Sequence, residues 1–366
     1  MTSANHKLCC LDCAERYGPT VTDLRCLKCG GLFALEYADP PDIAQPRLPV
    51  PDSSTVNSLG EGNTPVVSLE RTAKTLDIES LWIKQEFMAP TGSFKDRGSV
   101  VLTTMGRDFG VTHIVEDSSG NAGASLSAYA AAAGLTAHVF VPADTAASKL
   151  DQIQVFGANL HKVEGPRQAA TDAAEKFVSE TGFTYMSHSL SPYFAEGMKA
   201  VAYELVDVLG NEIDHVVLPV GNGSLLIGMV QGYQELLQAG GVNRIPRFHA
   251  VQTHSVRPVV AAMTGEDWSH EDARPTIASG IAVSMPPRLF EMVEAIKLTA
   301  GTGVTVTEEL LEDWQKRIAS SEGLFVEITS AVAFAGLAEL IKSGTIQKGS
   351  SVCVPITGSG LKEPLH

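Results

Sequence analysis

The sequence predicts an α/β protein of two open, mostly parallel sheets, preceded by a small cysteine-rich segment. Three observations carry this expectation. The chain has 366 residues, 44% of them apolar, which is more than one simple core accommodates. From about residue 80, short β-branched runs alternate with amphipathic helical patterns, and strands separated by helices specify parallel strands covered on both faces. Five of the six cysteines fall within the first 29 residues, which points to a local metal site and away from disulfides spread through a secreted fold.

The net charge of −15 argues against general affinity for nucleic acid or anionic membranes and leaves small molecules as the expected partners. The opening "MTSANHKLCC" has no signal-type apolar core, and no run approaches the roughly 20 apolar residues needed to cross a bilayer. A cytoplasmic location is the expectation.

At the N-terminus, Cys10 and Cys13 form one C-x2-C pair, and after a twelve-residue spacer Cys26 and Cys29 form a second, followed by two glycines. This is ribbon-type zinc spacing, in which four thiolates satisfy a tetrahedral ion and leave no open position, so the site is structural. A segment this short folds on its metal. The alternative is a ribbon with free thiols, and Cys9 is a second candidate for the place of Cys10. Cys353, inside "SVCVPI", reads as a small buried hydrophobe. Residues 38–58 hold five prolines and no period, and read as an extended linker.

In the main body, expected strands include "SLWIKQE", "THIVED", "TAHVFVP", "NLHKVEG", "FTYMS", "HVVLPVG", "RFHAVQ", "GVTVTE" and "SSVCVPITG". Expected helices include residues 121–134, 166–182, 191–210, 224–240 and 330–344. Ligands of such sheets bind beyond the carboxyl ends of the strands. Four strand-to-helix loops, "APTGSFKDRG", "DSSGNAGAS", "PVGNGSLL" and "PITGSGLK", are rich in Gly, Ser, Asn and Thr, and are expected to converge on one site.

The loop "PVGNGSLL" presents bare amides and a helix dipole, suiting a phosphate; it lacks a Walker lysine and does not match GxGxxG. "DSSGNAGAS" offers Ser118, Ser119 and Asn121 beside exposed amides, suited to a carboxylate or phenolic oxygen, with ordinary N-capping by Ser119 or Asn121 as the alternative. Thr357 ends a strand with a hydroxyl that can meet a ring nitrogen. Lys95, at a helix start, sits in a positive potential that favours the neutral amine needed for a Schiff base. Aldehyde, phosphate, phenolic oxygen and ring nitrogen occur together in pyridoxal 5'-phosphate.

These motifs, with "LGEGNTPVVSL" and "SEGLFVEITSAVAFAGL", resemble in content and order the fold-type II pyridoxal-phosphate enzymes, and among them the threonine synthase family, over about residues 8 to 362. The resemblance implies that Lys95 carries the cofactor and then moves a substrate proton, with Phe94 beside the ring. It implies that Asn121 meets the phenolic oxygen, that Gly221, Asn222, Gly223, Ser224 and Leu225 hold the phosphate, and that Thr357 faces the pyridine nitrogen. Ser118, Ser119, Gly120, Asn121 and Ala122 would receive the substrate carboxylate. A homodimer is usual in the family. The expected organisation is a zinc-ribbon-like segment at 8–38, a large cofactor-binding domain from 39–92 plus 201–366, and a small mobile α/β domain at 93–200.

A neutral threonine at the ring nitrogen implies a weaker electron sink than an acid would, which suits elimination or replacement at the β or γ carbon. The pattern departs from the family in "HSLSPYFAEGMKA", where Phe194 stands in place of an arginine that helps bind phosphohomoserine. Lys199, Arg97 and His188 are candidate substitutes. Three readings follow: a threonine synthase acting on an O-substituted homoserine or serine, a serine/threonine-type ammonia-lyase, and a catalytically silent pyridoxal-phosphate binding protein. Glu322 is a second-tier site candidate, whereas His113, His138, His249 and Trp268 read as packed or surface residues.

Overall fold

The structure is a computed structural model that describes residues 5–50, 56–165 and 167–362. Part of the expected linker (51–55) and Pro166, the first residue of the expected 166–182 helix, lie outside the described residues. In chain order the strands are β1 (His6–Cys10), β2 (Arg16–Tyr17), β3 (Phe33–Tyr37), β4 (Val66–Ser68), β5 (Ser80–Lys84), β6 (His113–Glu116), β7 (Thr136–Pro142), β8 (Asn159–Val163), β9 (Thr184–Tyr185), β10 (His215–Pro219), β11 (Arg247–Thr253), β12 (Gly303–Val306) and β13 (Ser351–Pro355). The α-helices are α1 (Glu70–Leu76), α2 (Lys95–Asp108), α3 (Asn121–Ala133), α4 (Ala147–Gln154), α5 (Arg167–Thr181), α6 (Pro192–Glu196), α7 (Lys199–Leu209), α8 (Ser224–Ala239), α9 (Pro258–Thr264), α10 (Leu289–Leu298), α11 (Glu308–Glu322) and α12 (Ile328–Lys342).

Two compact units result, one from the described parts of Met1–Glu61 and Lys95–Met198, the other from those of Gly62–Phe94 and Lys199–His366. The first holds the antiparallel ribbon sheet β2-β1-β3 and a four-stranded parallel sheet ordered β8-β7-β6-β9. Val139, Val141, Leu150 and Ile153 form a core on one face of the parallel sheet; Val115, Phe140 and Ala174 form a core with α5 on the other. The second holds a six-stranded sheet ordered β12-β11-β10-β13-β5-β4, parallel except where β4 pairs antiparallel with β5. β10 and β13 are buried along their whole length, as strands covered on both faces require.

One expected element differs. The single helix expected over 191–210 is broken into α6 and α7 at Gly197 and Met198. A Cβ at position 197 would strike the carbonyl of Arg97, so close approach of α2 sets the break.

Histidines read as packing residues do pack. His113, His138 and His161 form a row at 3.2 Å spacing across β6, β7 and β8, against Phe177 and Phe183. Burial, with the neighbouring imidazoles His161 and His113, holds His138 below its usual pKa. In the second unit, Nδ1 of His249 accepts from the Thr302 N–H, so Nε2 carries the proton and donates to His215 Nδ1 at 2.9 Å. Burial, then the nearby His215 and Arg247, pushes the His249 pKa down to about 3.

The folded state therefore resists protonation of His249 while the unfolded chain accepts a proton near an ordinary pKa of about 6.5, so stability falls as pH drops from there towards about 3. Urea midpoints measured from pH 7.5 to 4.5 are expected to fall with acidification, and His249→Leu is expected to make the fall shallower.

Candidate active site

Within the second unit the expected site residues lie at the carboxyl ends of adjacent strands. β10 runs through Val220 into Gly221, Asn222 and Gly223, and then into the 16-residue α8. Gly223 is the N-cap of α8 with φ +79°, a conformation that costs a residue bearing a Cβ roughly 1–2 kcal/mol. A Cβ there would also strike Met292. No side chain caps α8, and the buried hydroxyl of Ser224 has no hydrogen-bond partner among the described residues. Uncapped amides, a helix dipole and an unpartnered buried donor are what a phosphate dianion satisfies. These residues fit the phosphate group of the expected cofactor.

Thr357 follows β13, next to β10 in the sheet, and is buried. Its hydroxyl lies 2.9 Å from Glu327 Oε1 and 2.8 Å from Ser330 Oγ. The chain approaching Lys95 is tied to the same loop: Phe94 donates its N–H to the Thr357 carbonyl at 3.1 Å, and Ser93 bridges to Gly358. Phe94 is thus placed by backbone pairing with the end of β13.

Within the first unit, Lys95 opens α2 and Asn121 opens α3, and the two helices pack together. Ser125 of α3 donates to the buried carboxylate of Asp96 at 2.6 Å and lies 2.7 Å from Ser99 Oγ, fixing the register between the helices. Gly120 is the N-cap of α3, with no side-chain cap bond, so neither Ser119 nor Asn121 performs the capping role. The Ser118 hydroxyl accepts from the Gly120 N–H at 3.4 Å and shapes the loop.

Phe194 is fully buried, with its ring centroid 5.8 Å from Lys95 Nζ and its edge against Gly98, where an added Cβ would come within 2.7 Å of the ring. His188 meets the ring edge at 5.8 Å and is held by Glu116 at 2.8 Å. Helix α6, which carries Phe194, is clamped by the ribbon: His6 Nε2 lies 3.2 Å from the Tyr193 hydroxyl, and the Tyr37 hydroxyl donates to Glu196 at 2.6 Å. Of the candidate substitutes for the arginine, His188 is engaged by Glu116, and Lys199 pairs with Glu235 at 2.9 Å. Glu322 caps α1 by accepting from the N–H and hydroxyl of Thr72, which is a structural task.

The sulfurs of Cys10, Cys13, Cys26 and Cys29 all lie within 4.8 Å of one another, a donor set and spacing that fit one tetrahedral thiophilic ion. Cys9 is not among them, because strand alternation in β1 turns it away from Cys10. Cys353 is buried, and burial pushes its thiol up to about 12.

Sequence reasoning missed Glu327, Ser330, Asp96 and Ser125. For Ser330 and Ser125 the available signal was a polar residue inside an apolar helical run, in "VEITSAVAFAGL" and "NAGASLSAYAA".

Parallel strands ending in glycine-rich turns, an uncapped phosphate cradle and a lysine opening a helix define a cofactor enzyme of fold-type II, and the pyridoxal-phosphate dependent enzyme family matches residues 57–358, so the chain belongs to it. The relatives narrow this. Threonine synthase of Methanocaldococcus jannaschii is 32% identical, aligned over 97% of this chain and 92% of its own length. Threonine synthases of Mycobacterium tuberculosis and Halalkalibacterium halodurans are 35% and 34% identical, each over 87% of both chains. Among solved structures, maize serine racemase (21% identical, TM-score 0.70, covering 81% of this chain and 88% of its own) and O-ureido-L-serine synthase (23%, 0.70, covering 84% and 92%) share the fold.

Gly223→Ala is expected to lower unfolding free energy by at least about 1 kcal/mol, from the left-handed backbone alone, and to weaken pyridoxal-phosphate binding. Urea denaturation and titration of the apoprotein with the cofactor measure the two effects.

Proposed function

We propose that this protein is a pyridoxal-phosphate-dependent lyase of amino-acid metabolism that converts O-phospho-L-homoserine to L-threonine and phosphate. The observation that carries the reading is similarity at 32% identity to a threonine synthase along nearly the whole chain, ribbon included. The cofactor supplies an electron sink that stabilises negative charge developing on substrate carbon. This chain's residues do the rest. Gly221, Asn222, Gly223, Ser224 and Leu225 hold the phosphate by backbone amides and the Ser224 hydroxyl. Asn121 orients the phenolic oxygen, and Phe94 lies beside the ring. Ser118, Ser119, Gly120, Asn121 and Ala122 receive the substrate carboxylate at the start of α3. Lys95 would hold the cofactor through its amine, and the same amine is the group of this chain that takes and returns the substrate proton.

The four clustered thiolates are read as a structural zinc site, and the ribbon as a clamp on α6. The protein is further proposed to be a cytoplasmic homodimer without nucleic-acid or membrane partners.

A second reading rests on Phe194. A fully buried phenylalanine against Lys95, where the family pattern has an arginine, supplies no phosphate contact, and favours a β-eliminating ammonia-lyase acting on serine or threonine. Phosphate release from O-phospho-L-homoserine, measured beside 2-oxo acid release from threonine and serine, separates the readings: efficient oxo acid formation with no phosphate release rejects the synthase.

Lys95→Ala is expected to lose the visible absorbance of the lysine-bound cofactor and about 10²- to 10⁴-fold in turnover; an unchanged spectrum rejects the assignment of Lys95. Cys26→Ser is expected to lose stoichiometric zinc by elemental analysis, and retained zinc would place the ligands elsewhere.

A further inference from the structure

We propose that Gln252 is a positioning residue for the cofactor: it locks the peptide between Val220 and Gly221 so that the Gly221 N–H faces the phosphate. The inference rests on the reading above that residues 221–225 hold that phosphate. Gln252 lies on β11, beside β10 in the sheet, and is fully buried. Both ends of its amide are bound to backbone. Nε2 donates to the Val220 carbonyl at 3.0 Å, and Oε1 accepts the Val259 and Val260 N–H groups at 2.9 and 3.1 Å. The orientation of the amide is forced, because the reverse would set an NH2 group against two N–H donors. Arg257, the N-cap of α9, makes no side-chain cap bond, and Pro258 has no N–H to offer, so Gln252 caps that helix from β11.

Val220, the residue that leads into the glycine turn, is thereby held at both of its backbone polar groups. It donates its N–H to the Val251 carbonyl at 3.0 Å and offers its own carbonyl to Gln252. The peptide to Gly221 is trans, so fixing that carbonyl aims the Gly221 N–H the opposite way. No side chain at 221 could do the same work. A Cβ there would come within 3.0 Å of Ile281 Cα and 3.2 Å of the Gly280 carbonyl oxygen, and a glycine leaves the adjoining peptide planes free to turn. Gly221 is buried, yet its N–H donates to no group among the described residues. A buried amide without an acceptor is rare in folded proteins, and this one, in the turn between β10 and the uncapped start of α8, is a donor that a phosphate oxygen satisfies.

The test titrates the apoprotein with pyridoxal 5'-phosphate and, separately, with pyridoxal, which lacks the phosphate, and takes the ratio of the two dissociation constants. Gln252→Glu, measured at pH 8.5, keeps an acceptor for the two α9 amides but sets a carboxylate oxygen against the Val220 carbonyl, so the peptide turns and the phosphate loses a donor. Preference for the phosphorylated ligand is expected to fall about tenfold or more, the usual weight of a hydrogen bond to a charged group. A change confined to folding weakens both ligands alike, and a ratio left unmoved overturns the proposal. Should Gln252→Glu not fold, Gln252→Met, which cannot donate to Val220, is read in the same way. Ser224→Ala, run beside them, tests the underlying reading: a ratio that falls there but not in the Gln252 variant overturns the role of Gln252 alone, and one unmoved in both overturns the placement of the phosphate at 221–225.

Discussion

The second unit depends on the enclosure of one helix. α12 is apolar on nearly every side, and a helix of that kind is stable only when surrounded. It packs on β10, β11, β12, β13 and α11, and Ile328, Ala331, Val332, Ala333, Phe334, Ala335 and Leu337 join Leu81, Ile83, Val217, Val251, Val352 and Val354 in a single core. Phe334 stacks on Trp314 of α11 at 6.2 Å. With the body of the helix held this way, its first turn has one position available, and that position places Glu327 and Ser330 against Thr357. Hydrophobic enclosure thus sets which polar groups surround Thr357.

Buried charges in the same unit follow a related rule. Lys84, fully buried, reaches Thr64 and Glu204, while Glu204 accepts from the Asn63 N–H at 2.9 Å and Glu86 accepts from the Thr64 hydroxyl at 2.7 Å. A buried ion pair adds little net stability, but removing one partner strands the other at a cost of about 3–5 kcal/mol. The network therefore acts chiefly to hold Asn63 and Thr64 in one conformation. Lys199, Glu235 and Tyr203 do the same between α7 and α8.

In the first unit, α6 links the small ribbon to the surroundings of Lys95. Tyr193 and Glu196 face the ribbon, and Phe194, between them in sequence, reaches Lys95. A five-residue helix has little stability of its own, so contacts on both sides decide where Phe194 sits. This gives the ribbon a physical role in the surroundings of Lys95.

Much of the fold was legible in the sequence because its signals are local. Alternation of strand and helix patterns, glycine-rich turns after apolar strands, and paired C-x2-C spacing each need only a few neighbouring residues to be read. Lys95 and Asn121 open helices, and the 221–225 loop and Thr357 follow strands, so local patterns were enough to single them out as candidates. What tertiary structure alone decided depends on residues far apart in the chain. The break between α6 and α7 comes from the Arg97 carbonyl a hundred positions away. The choice of Cys10 over Cys9 comes from strand pairing that turns alternate side chains to opposite faces. The hydrogen bond of Thr357 to Glu327 joins residues thirty positions apart. By itself the sequence determined which chemical groups are present and which loops carry them. Only the packed structure decided which of those groups already have partners, because a hydrogen bond is a matter of distance and direction in space, and a sequence records neither.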